Sequence, residues 1–126
     1  MILFLNCPYA GDKFWGVVID IDNQSNKNII IYYEACCGEK KILINANSKV
    51  EGQINNNRYS HNEKLSDNFK YLKVLTEENQ LILDLRGNEL NEKIPYYKNV
   101  KGDDYYLLVT TNELINGVIS ASGSKN

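Results

Sequence analysis

Apolar and polar residues alternate from Trp15 to Asp22. Trp15, Val17, Ile19 and Ile21 fall on one side, with Gly16, Val18, Asp20 and Asp22 on the other. Period-two alternation over this length predicts a strand with one buried face. The run Asn23–Asn28 is wholly polar and rich in turn-tolerant residues, so a loop is expected. Ile29 to Ala35 is the next strand. Ile29, Ile31 and Tyr33 share one face, and Ile30, Tyr32 and Glu34 the other. Both faces begin apolar, the pattern of a central strand covered on both sides at that end. Cys36-Cys37-Gly38-Glu39 turns the chain into a short strand, Lys41 to Asn45, with Ile42 and Ile44 inward. After the turn Asn45–Ser48, Val50, Gly52 and Ile54 share a face.

Asn55 to Glu63 is expected as a long polar loop holding Arg58, Tyr59 and His61. From Lys64 to Leu75 the period is mixed. Leu65, Phe69 and Leu72 sit at helical spacing, while Phe69, Tyr71 and Leu75 suit a strand face. A strand from Phe69 to Leu75 after one helical turn fits best, because the connector Thr76–Asn79 and the alternation of Leu81, Leu83 and Leu85 complete a hairpin. Glu89 to Asp104 is polar and irregular, with Pro95, Tyr96 and Tyr97 in its middle. Tyr105 to Thr111 is the last strong strand, Leu114 to Ile119 is a segment to cap the core, and 120–126 reads as a polar tail. About seven strands at short spacing predict an all-β protein, an antiparallel β-sandwich of immunoglobulin-like general form spanning 15–119.

Composition narrows this picture. The 126 residues suit one domain, and 43% apolar with 24% charged is a globular balance. The 14 Lys+Arg against 16 Asp+Glu leave a net charge of −2, which offers no footprint for nucleic acid. Isoleucine and the 9 tyrosines suit pleated, half-buried surfaces, and the abundant asparagines suit turns. Met1–Leu5 is apolar but too short to span a bilayer, so no membrane span is expected. Two readings of 1–14 stay open. One is an edge strand packing Ile2, Phe4 and Cys7 on the core. The other is a signal remnant, with Ala10-Gly11 as cleavage point or Cys7 as lipid anchor. The second reading favours an envelope, periplasmic or secreted bacterial protein, and the first a cytoplasmic one.

Candidate chemistry is sparse. Adjacent Cys36 and Cys37 lack the spacing of a metal clamp, and neither metal nor other cofactor is expected. In an oxidising compartment Cys7 is a disulfide candidate for Cys36 or Cys37. Cys37 with His61, the only histidine, is the one pair that would serve a small hydrolase. Asp20 and Asp22, about 7 Å apart on one strand face, read as a solvated edge. Tyr96 and Tyr97 in one loop, with Arg58 and Tyr59 in another, carry the residue types enriched at binding hot spots.

The run Val18–Ile31 resembles the opening hairpin of many immunoglobulin-like and other sandwich domains, and it carries no functional motif. The leading expectation is a non-enzymatic protein-binding module. It would be an envelope or secreted domain, or an immunity-type inhibitor that neutralises a toxin. The alternatives are the cysteine- or histidine-dependent hydrolase and a membrane-active β-toxin. The sequence leaves oligomeric state open.

Overall fold

A computed structural model describes residues 15–35, 38–58 and 64–123. In chain order the elements are β1 Trp15–Asn23, β2 Ile29–Glu34, β3 Glu39–Ile44, β4 Ser48–Arg58 and α1 Leu65–Asn68. They continue with β5 Tyr71–Thr76, β6 Leu81–Arg86, α2 Asn88–Lys93, β7 Tyr96–Val100, β8 Asp103–Thr110 and α3 Asn112–Gly123. The protein is mostly β, as the alternation predicts. The strands form two four-stranded sheets, the first ordered β4-β1-β8-β7 and the second β3-β2-β5-β6.

Three expectations need correction. β1 and β2 do not form a hairpin, because they enter different sheets. The polar run between them carries the chain from one sheet to the other. Pairing is not antiparallel throughout, since β1 and β8 run parallel, with Val18 opposite Tyr105 and Ile21 opposite Leu108. Phe69 precedes β5 instead of opening it. Its N–H donates to the Leu65 carbonyl at 2.9 Å and closes the single turn of α1. The opposite end of that turn is held by Asp67, whose carboxylate accepts the Lys64 N–H at 3.0 Å, half of a capping box.

Both sheets contribute to one buried cluster. β1 supplies Ile19 and Ile21, β4 Ile54 and β8 Leu108. From the second sheet come Ile29 and Ile31 of β2, Leu72 and Val74 of β5, and Leu85 of β6. The helices fill the ends. Leu90 and Ile94, four residues apart on α2 and its last turn, are both fully buried. Asn91 joins α2 to α1, accepting the Ser66 N–H at 3.2 Å and donating to Ser66 Oγ at 2.9 Å. α3 starts under Thr111, whose Oγ1 accepts the Leu114 N–H at 3.1 Å. It turns Ile115 into the core, with Leu114 and Val118 beside it. The helix runs on to Gly123.

One polar knot ties the connections together. Asn23 ends β1 with its side chain fully buried. Its Nδ2 donates to the carbonyls of Lys27 (2.9 Å) and Asn45 (3.0 Å). Its Oδ1 accepts from Ser25 N (3.2 Å), Ser25 Oγ (2.7 Å) and Thr110 Oγ1 (2.9 Å). A single amide thus connects β1, the crossing segment, the β3–β4 turn and β8. A wholly hydrogen-bonded group of this kind carries no net burial penalty.

Candidate partner-docking surface

The predicted binding residues do not come together. Tyr96 and Tyr97 lie on β7, a strand, and not in a loop. Lys101 and Gly102, both at positive φ (53° and 92°), form the two-residue turn that pairs β7 with β8. Arg58 is the last residue of β4, at the opposite edge of the first sheet. Three inter-strand spacings, about 14 Å, separate the β4 and β7 edges. Tyr59, His61, Cys7, Cys36 and Cys37 lie outside the described residues. The cysteine–histidine pair and the disulfide pairing therefore rest on sequence alone.

The two tyrosines also differ from each other. Tyr96 is 53% exposed, its ring edge-on to Tyr106 at 5.6 Å between centroids. Tyr97 is engaged within the fold. Its hydroxyl donates to an oxygen of Asp20, and its ring meets Tyr105 at 6.4 Å. Lys98 sits over the rings of both Tyr97 (5.0 Å) and Tyr105 (5.1 Å).

Asp20 is fully buried, which corrects the expected solvated edge. The reason is a bulge in β4. Ile19 faces Ile54, but Ile21 faces Val50, so β4 carries extra residues opposite Asp20. Gly52 sits there at φ 78°, and its N–H donates to Asp20 Oδ1 at 3.0 Å. The carboxylate therefore satisfies the amide that the bulge takes out of the ladder, while its other oxygen accepts Tyr97. Burial first, and then the bond to Asp20, push the Tyr97 hydroxyl well above the usual tyrosine range.

This shift gives a testable pH dependence. The folded state holds the Tyr97 proton more tightly than the unfolded chain. Its contribution is complete below about pH 10, where free tyrosine titrates, and is lost as pH rises through the raised value. Urea midpoints measured from pH 8 upward should fall more steeply for the wild type than for Tyr97→Phe. Parallel curves would sink the assignment. The variant should also be less stable at neutral pH, because Asp20 keeps only one of its two donors.

The outer face of the second sheet is different in character. Strand register lines its residues into three rows. Leu43, Ile30, Leu75 and Leu81 form the first, one from each strand. Lys41, Tyr32, Lys73 and Asp84 form the second, and Glu39, Glu34, Tyr71 and Arg86 the third. At the two ends of the apolar row Leu43 is 53% and Leu81 47% exposed. An open groove of about 410 Å³ runs beside it, lined by Tyr32, Glu39, Lys73, Leu75, Leu81 and Asp84 among others.

Most charges on this face are matched locally. Lys73 pairs with Glu39 (3.6 Å), Lys70 with Glu34 (3.1 Å) and Arg86 with Asp84 (2.9 Å). The Tyr71 hydroxyl donates to Glu39, and that bond, followed by loss of hydration, pushes its pKa up to about 12. Lys41 has only the Tyr32 ring, 5.8 Å away, and no carboxylate partner among the described residues.

No protein-family model, curated protein or solved structure matches the chain. Its function must be read from its own surface. The signal for this face was present in β2, whose two faces both begin apolar. The pattern reads as burial on both sides. Among the described residues, only the face bearing Ile29 and Ile31 is buried, while Ile30 and Tyr32 keep partial exposure.

Proposed function

We propose that the chain is a non-enzymatic protein-binding module. Its two sheets stack as a sandwich, and it docks a partner on the outer face of the second sheet. The sandwich reading draws on the shared core and on Tyr33, whose hydroxyl reaches the Gln53 carbonyl of β4 at 3.4 Å. The docking reading is carried by one observation. An apolar row crosses all four strands and ends in exposed leucines beside a lysine with no carboxylate partner among the described residues. Scattered exposed leucines are ordinary on a protein surface, but an aligned row beside a groove forms a contiguous patch. The fitting partner is a protein surface that offers apolar side chains to the row and a carboxylate to Lys41.

Peptides selected from a displayed random library against the immobilised chain test this reading. Their affinity should fall about 100-fold in the double variant Leu43→Glu with Leu81→Glu, since each change removes an apolar contact at one end of the row and puts there a charge that docking would have to desolvate. Tyr96→Ala should leave it unchanged. The reverse result, loss on Tyr96→Ala alone, would transfer the site to β7 and restore the tyrosine reading. Circular dichroism of the double variant should match the wild type, because both leucines project from the outer face.

A further inference from the structure

The edges of the sheets differ in how they are protected. β7 is five residues long and its register slips between Tyr96 and Lys98. β4 is bulged opposite Asp20. β6 has α2 and α3 packed against it. Short length, bulges and covering elements are the usual devices that stop an edge strand from pairing further. β3 has neither a bulge nor, among the described residues, a covering element. Its six residues pair with β2 in unbroken register, from Glu34 opposite Glu39 to Ile29 opposite Ile44. All but its last two inward residues, Ile42 and Ile44, are exposed.

Antiparallel geometry points alternate backbone N–H and C=O groups of such a strand away from its neighbour. β3 also carries Lys40 and Lys41, neither with a carboxylate partner among the described residues. Lysines on an edge deter unselective pairing. They repel a basic strand, such as β3 of a second copy, and they favour a strand that brings carboxylates opposite them. Leu43, two residues beyond Lys41 on the outer face, would sit next to an apolar side chain of the same added strand.

We propose that β3 is a strand-addition edge. An extended partner segment with adjacent acidic and apolar residues pairs with its free backbone groups and enlarges the second sheet to five strands. This rests on the reading of the outer face as a docking surface and adds the mode of engagement. Backbone pairing supplies affinity, and Lys40, Lys41 and Leu43 supply selectivity.

The probe is the capped peptide Ser-Thr-Val-Val-Glu-Glu-Thr-Ser, titrated into the isotope-labelled chain and followed by amide NMR and hydrogen exchange. Its valines suit Ile42 and Leu43, and its glutamates suit Lys40 and Lys41 in an antiparallel register. The expected result is slowed exchange at alternate amides of 39–44. Affinity should drop about tenfold for Lys40→Glu with Lys41→Glu, and a peptide with lysines in place of glutamates should rescue that variant. A peptide methylated on its valine nitrogens should not bind. If the methylated peptide binds equally and shifts the methyls of Leu43, Leu75 and Leu81, strand addition is overturned while face docking stands. If the charge-reversed peptide binds the wild type equally well, selection by Lys40 and Lys41 is overturned. No perturbation of either β3 or the outer face at millimolar peptide in low salt would overturn both readings.

Discussion

Asn23→Ala should cost the fold about 3–4 kcal/mol, measured as a drop in urea-unfolding free energy. For a chain of this size that lowers the thermal midpoint by about 10–15 °C. The size of the effect follows from what the amide leaves behind. The part-buried carbonyls of Lys27 and Asn45 lose the amide donor, Lys27 keeping only the Ser25 hydroxyl at 3.1 Å, while the buried Ser25 and Thr110 lose their acceptor. Each stranded group carries its desolvation cost, whereas an intact network carries none. Ser25→Ala and Thr110→Val each delete one hydroxyl and leave the Asn23 donors in place, so each should cost about 1–2 kcal/mol. A loss below about 1 kcal/mol for Asn23→Ala would mean that water replaces the amide and that the knot does not hold the crossing. Asn23→Asp should be no remedy. It turns an acceptor oxygen toward two carbonyl oxygens and buries a charge without a counter-ion among the described residues.

Phe69→Ala should be comparably severe, at about 3–5 kcal/mol. Phe69 closes α1 and is 2% exposed, with its ring edge-on to Tyr33 at 6.3 Å. Tyr33 in turn reaches across to the Gln53 carbonyl of the first sheet. Removing the phenyl ring leaves a cavity between α1, β2 and the inter-sheet contact, and it takes away the ring that fixes Tyr33. Phe69→Leu, which refills most of the volume, should recover all but about 1 kcal/mol. Urea unfolding with an unchanged slope would show that stability alone changed. Equal losses for the alanine and leucine variants would argue that ring stacking, and not packing volume, sets the cost.

The strands that show clearly in the sequence are those that bury one face. β2, β5 and the end of β8 place alternate residues in the core, and that sidedness is written in the order of Ile, Val and Leu. β1 is instead buried on both faces from Val17 to Ile21, and β6 departs from the expected alternation where its register shifts, leaving Leu81 exposed and Ile82 buried. β7 leaves no such trace in the sequence, for the corresponding reason. Tyr96 to Val100 buries no complete face, so its alternation has no apolar signature, and Pro95 ahead of it suggested a loop. Its remaining signal is Gly102, which supplies one of the two positive-φ positions of the turn. The end of β4 was hidden in the same way. Asn55, Asn56 and Asn57 pair with β1 through their backbones, which any residue can do. α2 left a fainter trace, the four-residue spacing of Leu90 and Ile94 within an otherwise polar run.

The candidate docking surface was half legible. The alternation of β2 and β3 assigns Ile30, Lys41 and Leu43 to the faces opposite Ile29, Ile31, Ile42 and Ile44, and it leaves open which side of 69–75 meets the core. It cannot align them into rows, because the rows exist only through register between strands distant in sequence. Tyr96, Tyr97 and Arg58 were chosen for residue type, and type does not say that β4 and β7 are opposite edges of a sheet.

By itself the sequence determined the class of the protein, the places where most of its strands extend and turn, and which side of β2 and β3 is apolar. These are local properties, set by side-chain alternation and turn chemistry within a few residues. The tertiary structure alone decided that β1 pairs with β4 and β8 instead of β2. It likewise decided that Asp20 is buried opposite a bulge, that Asn23 knots four segments, and that β3 lies at the end of its sheet. Strand pairing uses backbone groups common to all residues, so the choice of neighbour is made by how the apolar faces of the whole chain close over one core.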